Sequence, residues 1–371
     1  MNTLTTTRDV PDVASPVPIH GTDGDDTLEG GPGRDLIDGG AGDDYLHDEA
    51  GANQLLGGAG NDTIIGCGTI TGGPGNDAIV AAGDVSGNVY QYAQGDGFDT
   101  ISTTGTGHDI LQFGQGVTPS SVMLVRDGDH LSFYMGPGQQ VSMQDWFKGP
   151  GFELAQVSFA DGTYWSAADI SAMDVTVLGT AGDDVLYGYP GNNLIHGGPG
   201  NDYVLDARGN NILYGGPGDD TLMGSGVLDG GPGDDTLLAV GDAGHNVYFF
   251  DSGDGRDTLH AHGDDNPGRA QGAVAFGESL DPSHLWFRRQ DDDLAINVVG
   301  SCDGLTIKDW YQNVNNQVQR FMSGNEKTLS RDKVDGLVQA MSGFAAPVCG
   351  ASRLNEAARQ TLAPVLAASW T

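Results

Sequence analysis

The sequence predicts an all-β chain in which two stacks of a short turn-and-strand unit are each followed by a small β-rich domain, with short helices near the C-terminal end. Three observations predict it. A nonapeptide GGxGxDxUx, with U large and apolar, recurs at Gly30–Asp38 (GGPGRDLID), Gly39–His47 (GGAGDDYLH), Gly57–Ile65 (GGAGNDTII), Gly197–Leu205 (GGPGNDYVL) and Gly215–Met223 (GGPGDDTLM). The stretch from Gly21 (GTDGDDTLEGGPGRDLIDGG) reappears at Gly179 (GTAGDDVLYGYPGNNLIHGG), 158 residues later and without a gap for almost eighty residues, which marks a tandem duplication. After each run of nonapeptides the period shortens to the alternation of ordinary strands.

Within the unit the glycines allow positive φ and a close backbone approach, the Asp offers a hard oxygen ligand, and the single apolar residue points inward. The pattern resembles the calcium-binding nonapeptide of RTX proteins, the haemolysin-type calcium-binding repeat family of Gram-negative bacteria. That resemblance implies two parallel β-rolls, several bound Ca2+ ions per roll along the turns, and export by a type I secretion machinery. Its ligand phase falls on Asp26, Asp44, Asp62 and Asp77 in the first copy and on Asp184, Asp202, Asp220 and Asp235 in the second. Gly24, Gly42, Gly60 and Gly75 precede the first set and Gly33 precedes Asp35, with Gly182, Gly200, Gly218 and Gly233 in the second copy.

One coil takes two nonapeptides, so ligands on the same edge recur every 18 residues, until a six-residue link (GCGTIT after Ile65) shortens the step before Asp77. The opposite edge carries Asp35 and Asn53 in the first copy and Asn193 and Asn211 in the second. An amide oxygen can ligate calcium but brings no charge, so this edge is expected to bind weakly or not at all. Each roll closes on a variant unit, GNVYQYAQGDGFDTI at Gly87 and HNVYFFDSGDGRDTL at His245. There Tyr90 and Tyr248 take the inward position, and Asp96, Asp99, Asp254 and Asp257 are candidates for a last site.

The expected organisation is a tail (1–20), a first roll (21–101), a partner domain (102–178), a second roll (179–259), a second partner domain (260–342) and a C-terminal segment (343–371). In the partner segments, LSFYM at Leu131 and VSMQDWF at Val141 read as strands, matched by LAINVV at Leu294 and LTIKDWYQ at Leu305. They resemble the haemolysin-type calcium-binding-related domain, whose Trp-aromatic pair would be Trp146 with Phe147 and Trp310 with Tyr311. The FADGTxW turn of that domain is Phe159–Thr163 with Trp165; the second copy reads MSGNEKTLS in its place.

Charge narrows the function. Against 16 Lys and Arg stand 51 Asp and Glu, a net charge of −35, which repels nucleic acid and anionic membrane and calls for cations. With 61 glycines, the entropy of ordering the rolls and their self-repulsion should exceed what apolar burial returns, so without cations the rolls are expected to be disordered. Met1–His20 has no basic start followed by an apolar run, so no Sec-type signal is expected, and no stretch reaches the length of a membrane span. Of three cysteines, Cys67 has Ser225 as its counterpart, which argues against a bridge there; Cys302 and Cys349 could pair in an extracellular protein or remain thiols.

Signs of catalysis are missing. The chain has neither HExxH nor GxSxG, and His260 with His262 is a lone HxH in a polar stretch. Carboxylates at the ligand phase of the repeats would be held ionised by a cation and unfit for proton transfer. The chain is therefore expected not to be an enzyme. An adhesin, surface-layer or glycan-binding module, with Trp146, Phe147, Trp310 and Tyr311 as a stacking platform, is the alternative to a core role for these rings.

The segment SRDKVDGLVQAM from Ser330 reads as an amphipathic helix, with Val334, Leu337, Val338 and Met341 on one face and Ser330 as N-cap. Ser166, Ile170 and Met173 take the corresponding places in the first copy. The second copy alone continues, through a helical stretch at Leu354–Leu362, Pro364 and a small-residue end; the family resemblance makes this the export signal. The expected protein is thus secreted and non-catalytic, with rolls that fold on meeting extracellular calcium.

Overall fold

The stacked units form as expected. A computed structural model describes residues 18–83, 87–103, 108–240, 245–261, 272–350, 354 and 356–371, and the backbone of 5–7; most of the expected tail, and His262, lie outside the described residues. The chain divides into two compact units, Met1–Met173 and Asp174–Thr371. Each is mostly β and built around a parallel solenoid.

In the first unit short parallel strands stack in two rows. Thr27–Glu29 pairs with the start of Tyr45–Ala59, and that with the start of Thr63–Thr71, in the register Leu28↔Leu46↔Ile64. The other row runs from Ile19–His20 through Leu36–Ala41 to the end of Tyr45–Ala59, in the register Ile19↔Ile37↔Leu55. The six-residue link then shortens the coil without breaking the inward ladder, since Ile64 pairs with Ile79 and Leu55 with Ile70. The second unit repeats this with Leu186↔Val204↔Leu222↔Leu237 and Val177↔Ile195↔Leu213↔Leu228.

Leu28, Leu46, Ile64, Ile37, Leu55 and Ile70 are all completely buried, so the core is a ladder of one large apolar side chain per nonapeptide. Burying one such residue stabilises by about 1.5–3 kcal/mol. Ordering nine backbone residues costs about 1–2 kcal/mol each. Backbone ladders and whatever neutralises the turns must therefore supply much of what holds a coil together.

Glycine is demanded where coils press on one another. A Cβ on Gly42 or Gly60 would run into the backbone of the preceding coil, and both have φ beyond +100°. Gly24 and Gly182, in the first coil of each roll, do not have the expected positive φ. Gly75 and Gly233, after the short coil, also lack it, although a Cβ there would still collide with the carbonyls of Gly60 and Gly218.

The segments after the rolls continue them. Met123–Asp127, His130–Gly136 and Gln139–Met143 form an antiparallel meander whose last strand pairs in parallel with Phe98–Ser102 (Phe98↔Gln140). Gln156–Ser158, half of a hairpin with Tyr164–Ser166, adds in parallel to Ile110–Phe113. In the second unit Gly304–Ile307 joins Arg256–His260 and Arg320–Met322 joins Ala273–Phe276 in the same way. Tyr90 and Tyr248 point inward and are buried, as expected of the closing units.

The hairpin turns of the two copies close alike despite their different sequences. Phe159 N–H donates to the Thr163 carbonyl (2.9 Å), as Ser323 N–H does to that of Lys327 (2.9 Å). The left-handed position held by Gly162 falls to Glu326, at φ 64°.

Helix α1 (Ala167–Ser171) starts on a capping box in which Ser166 accepts from the Asp169 N–H. Helix α2 (Val334–Met341) buries Val334, Leu337 and Met341 as predicted, but Ser330 makes no side-chain cap, because a 3-10 turn, Arg331–Lys333, comes first. Helix α3 (Glu356–Ser369) does not stop before Pro364 as the sequence suggests; the proline lies inside it. A proline there removes one helical hydrogen bond and costs about 3 kcal/mol, and tertiary anchors hold the last turn in place. Trp370 is buried against Phe287, Thr371 and Thr328 exchange two backbone hydrogen bonds, and Lys333 Nζ donates to the carbonyl of Ser369 (3.1 Å). Cys302 and Cys349 form a disulfide, which ties the same extension to the turn before Gly304–Ile307.

Candidate metal centre

Each nonapeptide turn places its sixth residue at the start of a strand, where the side chain reaches along the edge to the neighbouring coil. On the first edge this builds a carboxylate ladder. The N–H groups of Asp26, Asp44 and Asp62 donate to Oδ1 of Asp44, Asp62 and Asp77, each at 2.8 Å, and Asp77 N–H donates to Asp99 (3.0 Å). The second copy runs Asp184, Asp202, Asp220, Asp235 and Asp257 in the same way, at 2.7–3.1 Å.

At the first rung the Oδ2 atoms of Asp26 and Asp184 accept from the N–H and hydroxyl of Thr22 and Thr180, whereas at the inner rungs only one oxygen of the carboxylate is used. Oδ2 of Asp44, Asp62, Asp77, Asp202, Asp220 and Asp235 is buried without a hydrogen-bond partner. Glycine lets the backbone approach it closely: a Cβ on Gly39 would collide with Asp44 Oδ2 and with the carbonyl oxygen of Gly57, one coil further on. The same arrangement recurs at Gly57, Gly197 and Gly215.

A row of buried, unpartnered carboxylate oxygens beside backbone carbonyls is a hard-oxygen donor set, which suits calcium. Among the described residues no three His, Cys, Asp or Glu side chains converge. A cation here would therefore take its remaining oxygens from the backbone.

The electrostatics agree. Burial, and then the charge of neighbouring aspartates, raises the acids above the ordinary carboxylate value, to about 6 at Asp62, about 7 at Asp77 and about 8 at Asp99. In the second roll the series is about 6 at Asp220, about 7 at Asp235 and about 9 at Asp257. All six are buried.

The second edge is built differently. Asn53 Oδ1 accepts from the Asp35 N–H (3.0 Å) and Asn211 Oδ1 from the Asn193 N–H (2.9 Å), so the ladder is kept. The other half of each amide turns onto its own loop: Asn53 Nδ2 donates to the Ala50 carbonyl (3.1 Å) and Asn211 Nδ2 to that of Arg208 (2.7 Å). Where an Asp leaves an orphan oxygen, an Asn satisfies the turn by itself.

Three features of the edges are absent from the sequence-based site. Asn88, Asp109 and Asn246 extend the second-edge ladder into the closing units. The exposed fifth residues form a parallel outer ladder, in which Asp43 N–H donates to Asp25 (3.0 Å) and Asn61 N–H to Asp43 (2.7 Å); the recurring Asp or Asn at that position was the available signal. Asp48 and Asp206 occupy the place of a first glycine and are buried. Cys67 and Ser225 play one part in the two copies, donating to the carbonyls of Gly51 (3.0 Å) and Gly209 (2.8 Å).

The aromatic residues do not form a platform. Trp146 and Trp310 are buried, and Arg126 and Arg289 lie over the rings of Phe147 and Tyr311 at 4.2 and 4.3 Å. Trp146→Ala should therefore cost about 3–5 kcal/mol and lower the melting temperature of the first unit. A variant that melts like the wild type would show that the ring is not a core residue.

Fold and edge chemistry together define a parallel-roll repeat protein built to hold cations along its turns. The family model of the RTX calcium-binding nonapeptide repeat matches in four copies, at residues 20–55, 47–66, 176–204 and 204–226. The chain is an RTX-repeat protein, and its repeats bind Ca2+. Among solved structures it is similar to the extracellular lipase LipA from Serratia marcescens, at 18% identity and a TM-score of 0.24. That similarity covers 82% of this chain and 40% of the lipase chain, so the chain spans less than half the lipase's length.

Proposed function

We propose that the protein is a secreted, non-catalytic calcium-binding module whose rolls fold when they meet extracellular calcium. The observation that carries this reading is the row of buried, unpartnered Oδ2 atoms on the first edge. Asp26, Asp44, Asp62, Asp77 and Asp99, with Asp184, Asp202, Asp220, Asp235 and Asp257, are the proposed carboxylate ligands, and turn carbonyls complete each site. Asp96 and Asp254 flank the last position, where each accepts a backbone N–H from its own turn. Calcium supplies the positive charge that lets these acids stay ionised side by side. Modules of this kind bind it at roughly 10⁻⁴ to 10⁻³ M, which leaves the rolls empty in the cytosol and loaded outside.

Each roll with the segment after it is proposed as one folding element, and the segment after Gly343 as the signal read by a type I exporter. The exposed start of α3 and the absence of a counterpart in the first copy support the latter. The docked end of the chain adds a second role, as a cap on the second unit. Deleting residues 344–371 should abolish export from a strain carrying a type I exporter, leave calcium-induced folding of the first unit unchanged, and lower the melting temperature of the second. Truncated protein appearing in the medium at wild-type levels would remove the export role and leave the cap.

A further inference from the structure

The second edge of the first roll holds an acid that the ladder does not use. Asp48 stands where the repeat has its first glycine, is 3% exposed, and has an Oδ2 with no hydrogen-bond partner. Its Oδ1 accepts a long contact from Ala50 N–H (3.2 Å). The carboxyl lies against Gly30 of the preceding coil, where a Cβ would collide with it, and the side chains of Asp35 and Asn53 are within its reach.

The duplication supplies an internal control. The counterpart of Asp48 is Asp206, equally buried and lying against Gly188 in the same way. The counterpart of Asp35 is Asn193, whose Nδ2 donates to Asp206 Oδ2 at 2.7 Å. One copy thus satisfies its buried acid with an amide, while the other sets a second acid against it. A carboxylate accepts and does not donate, so two carboxylates set against each other need a counter-charge where the amide of the second copy needs none.

We propose that Asp35 and Asp48 form an additional divalent-cation site on the second edge of the first roll, and that in the second roll the Asn193–Asp206 hydrogen bond takes its place. Asp35 stands at the ligand phase of the nonapeptide, and Asp48, at a glycine position, adds a carboxylate that the repeat does not supply. Two carboxylates and the adjacent turn carbonyls are hard oxygens, so the ion is of the calcium class. The proposal rests on the reading of the first edge as calcium-loaded, which sets the ions already counted.

Bound calcium per full-length chain, measured by equilibrium dialysis against calcium alone, tests it. Asp48→Asn gives Asp35 an amide partner and should lower the count by about one ion, with an unchanged far-ultraviolet circular dichroism spectrum at saturating calcium. Asn193→Asp recreates the acid pair in the second roll and should raise the count by about one. If Asp48→Asn fails to fold, Asn193→Asp decides alone. A count that Asn193→Asp leaves unchanged overturns the site, while a wild type that binds no calcium overturns the reading of the first edge instead.

Discussion

In chelator at pH 8 the chain should lose most of its β signal, and millimolar calcium should restore it. On the first edge Asp44, Asp62, Asp77, Asp202, Asp220 and Asp235 keep one oxygen buried and unpartnered. One apolar side chain per nonapeptide does not offset the backbone entropy of a glycine-rich coil. Magnesium should substitute poorly, since it requires a smaller octahedral shell and gives up water reluctantly.

The pKa shifts set the pH dependence of the metal-free state. In the folded roll Asp62, Asp77, Asp99, Asp220, Asp235 and Asp257 hold their protons more tightly than in the unfolded chain, with values of about 6 to about 9 against 3.8. Between these limits the folded state binds more protons, so metal-free stability is greatest in acid and falls as pH rises. The chelated protein should therefore show more β structure at pH 5 than at pH 8, while the calcium midpoint should rise at pH 5, where ions must displace protons. Circular dichroism across a calcium titration at both values measures both effects. Rolls already fully β in chelator at pH 8 would rule out folding coupled to calcium.

The second large effect is a difference between edges. Asp44→Ala or Asp202→Ala removes the rung that holds the preceding coil together with the unpartnered oxygen beside the turn carbonyl. The calcium midpoint should rise roughly threefold or more, and fewer ions should bind. Asn53→Ala or Asn211→Ala also removes a rung and leaves turn carbonyls unpaired, at about 1–3 kcal/mol. It takes away no charge, so the ion count should stay and the midpoint move less. Titration calorimetry on the four variants separates the cases, and equal losses on both edges would mean that the Asn turns hold ions as the Asp turns do.

Much of this protein is local and therefore legible. A nonapeptide coil touches only its neighbours, so the period by itself placed Leu28, Leu46 and Ile64 in the core, set the 18-residue register, and put Asp on one edge and mostly Asn on the other. The duplication, read from Gly21 and Gly179, predicted that the second unit would repeat the first. What the sequence left open depends on contacts between distant residues. No local pattern says that Gln140 will pair with Phe98, that Cys302 will meet Cys349, or that Trp370 will dock on Phe287 and carry α3 through Pro364. The Asp at position 48 reads as a flaw in the repeat until the fold sets it against Asp35, and its twin at 206 as harmless once Asn193 donates to it. Periodic burial is written residue by residue along the chain, whereas the charge balance of a buried acid depends on which side chain the next coil brings to it, and that the tertiary structure alone decided.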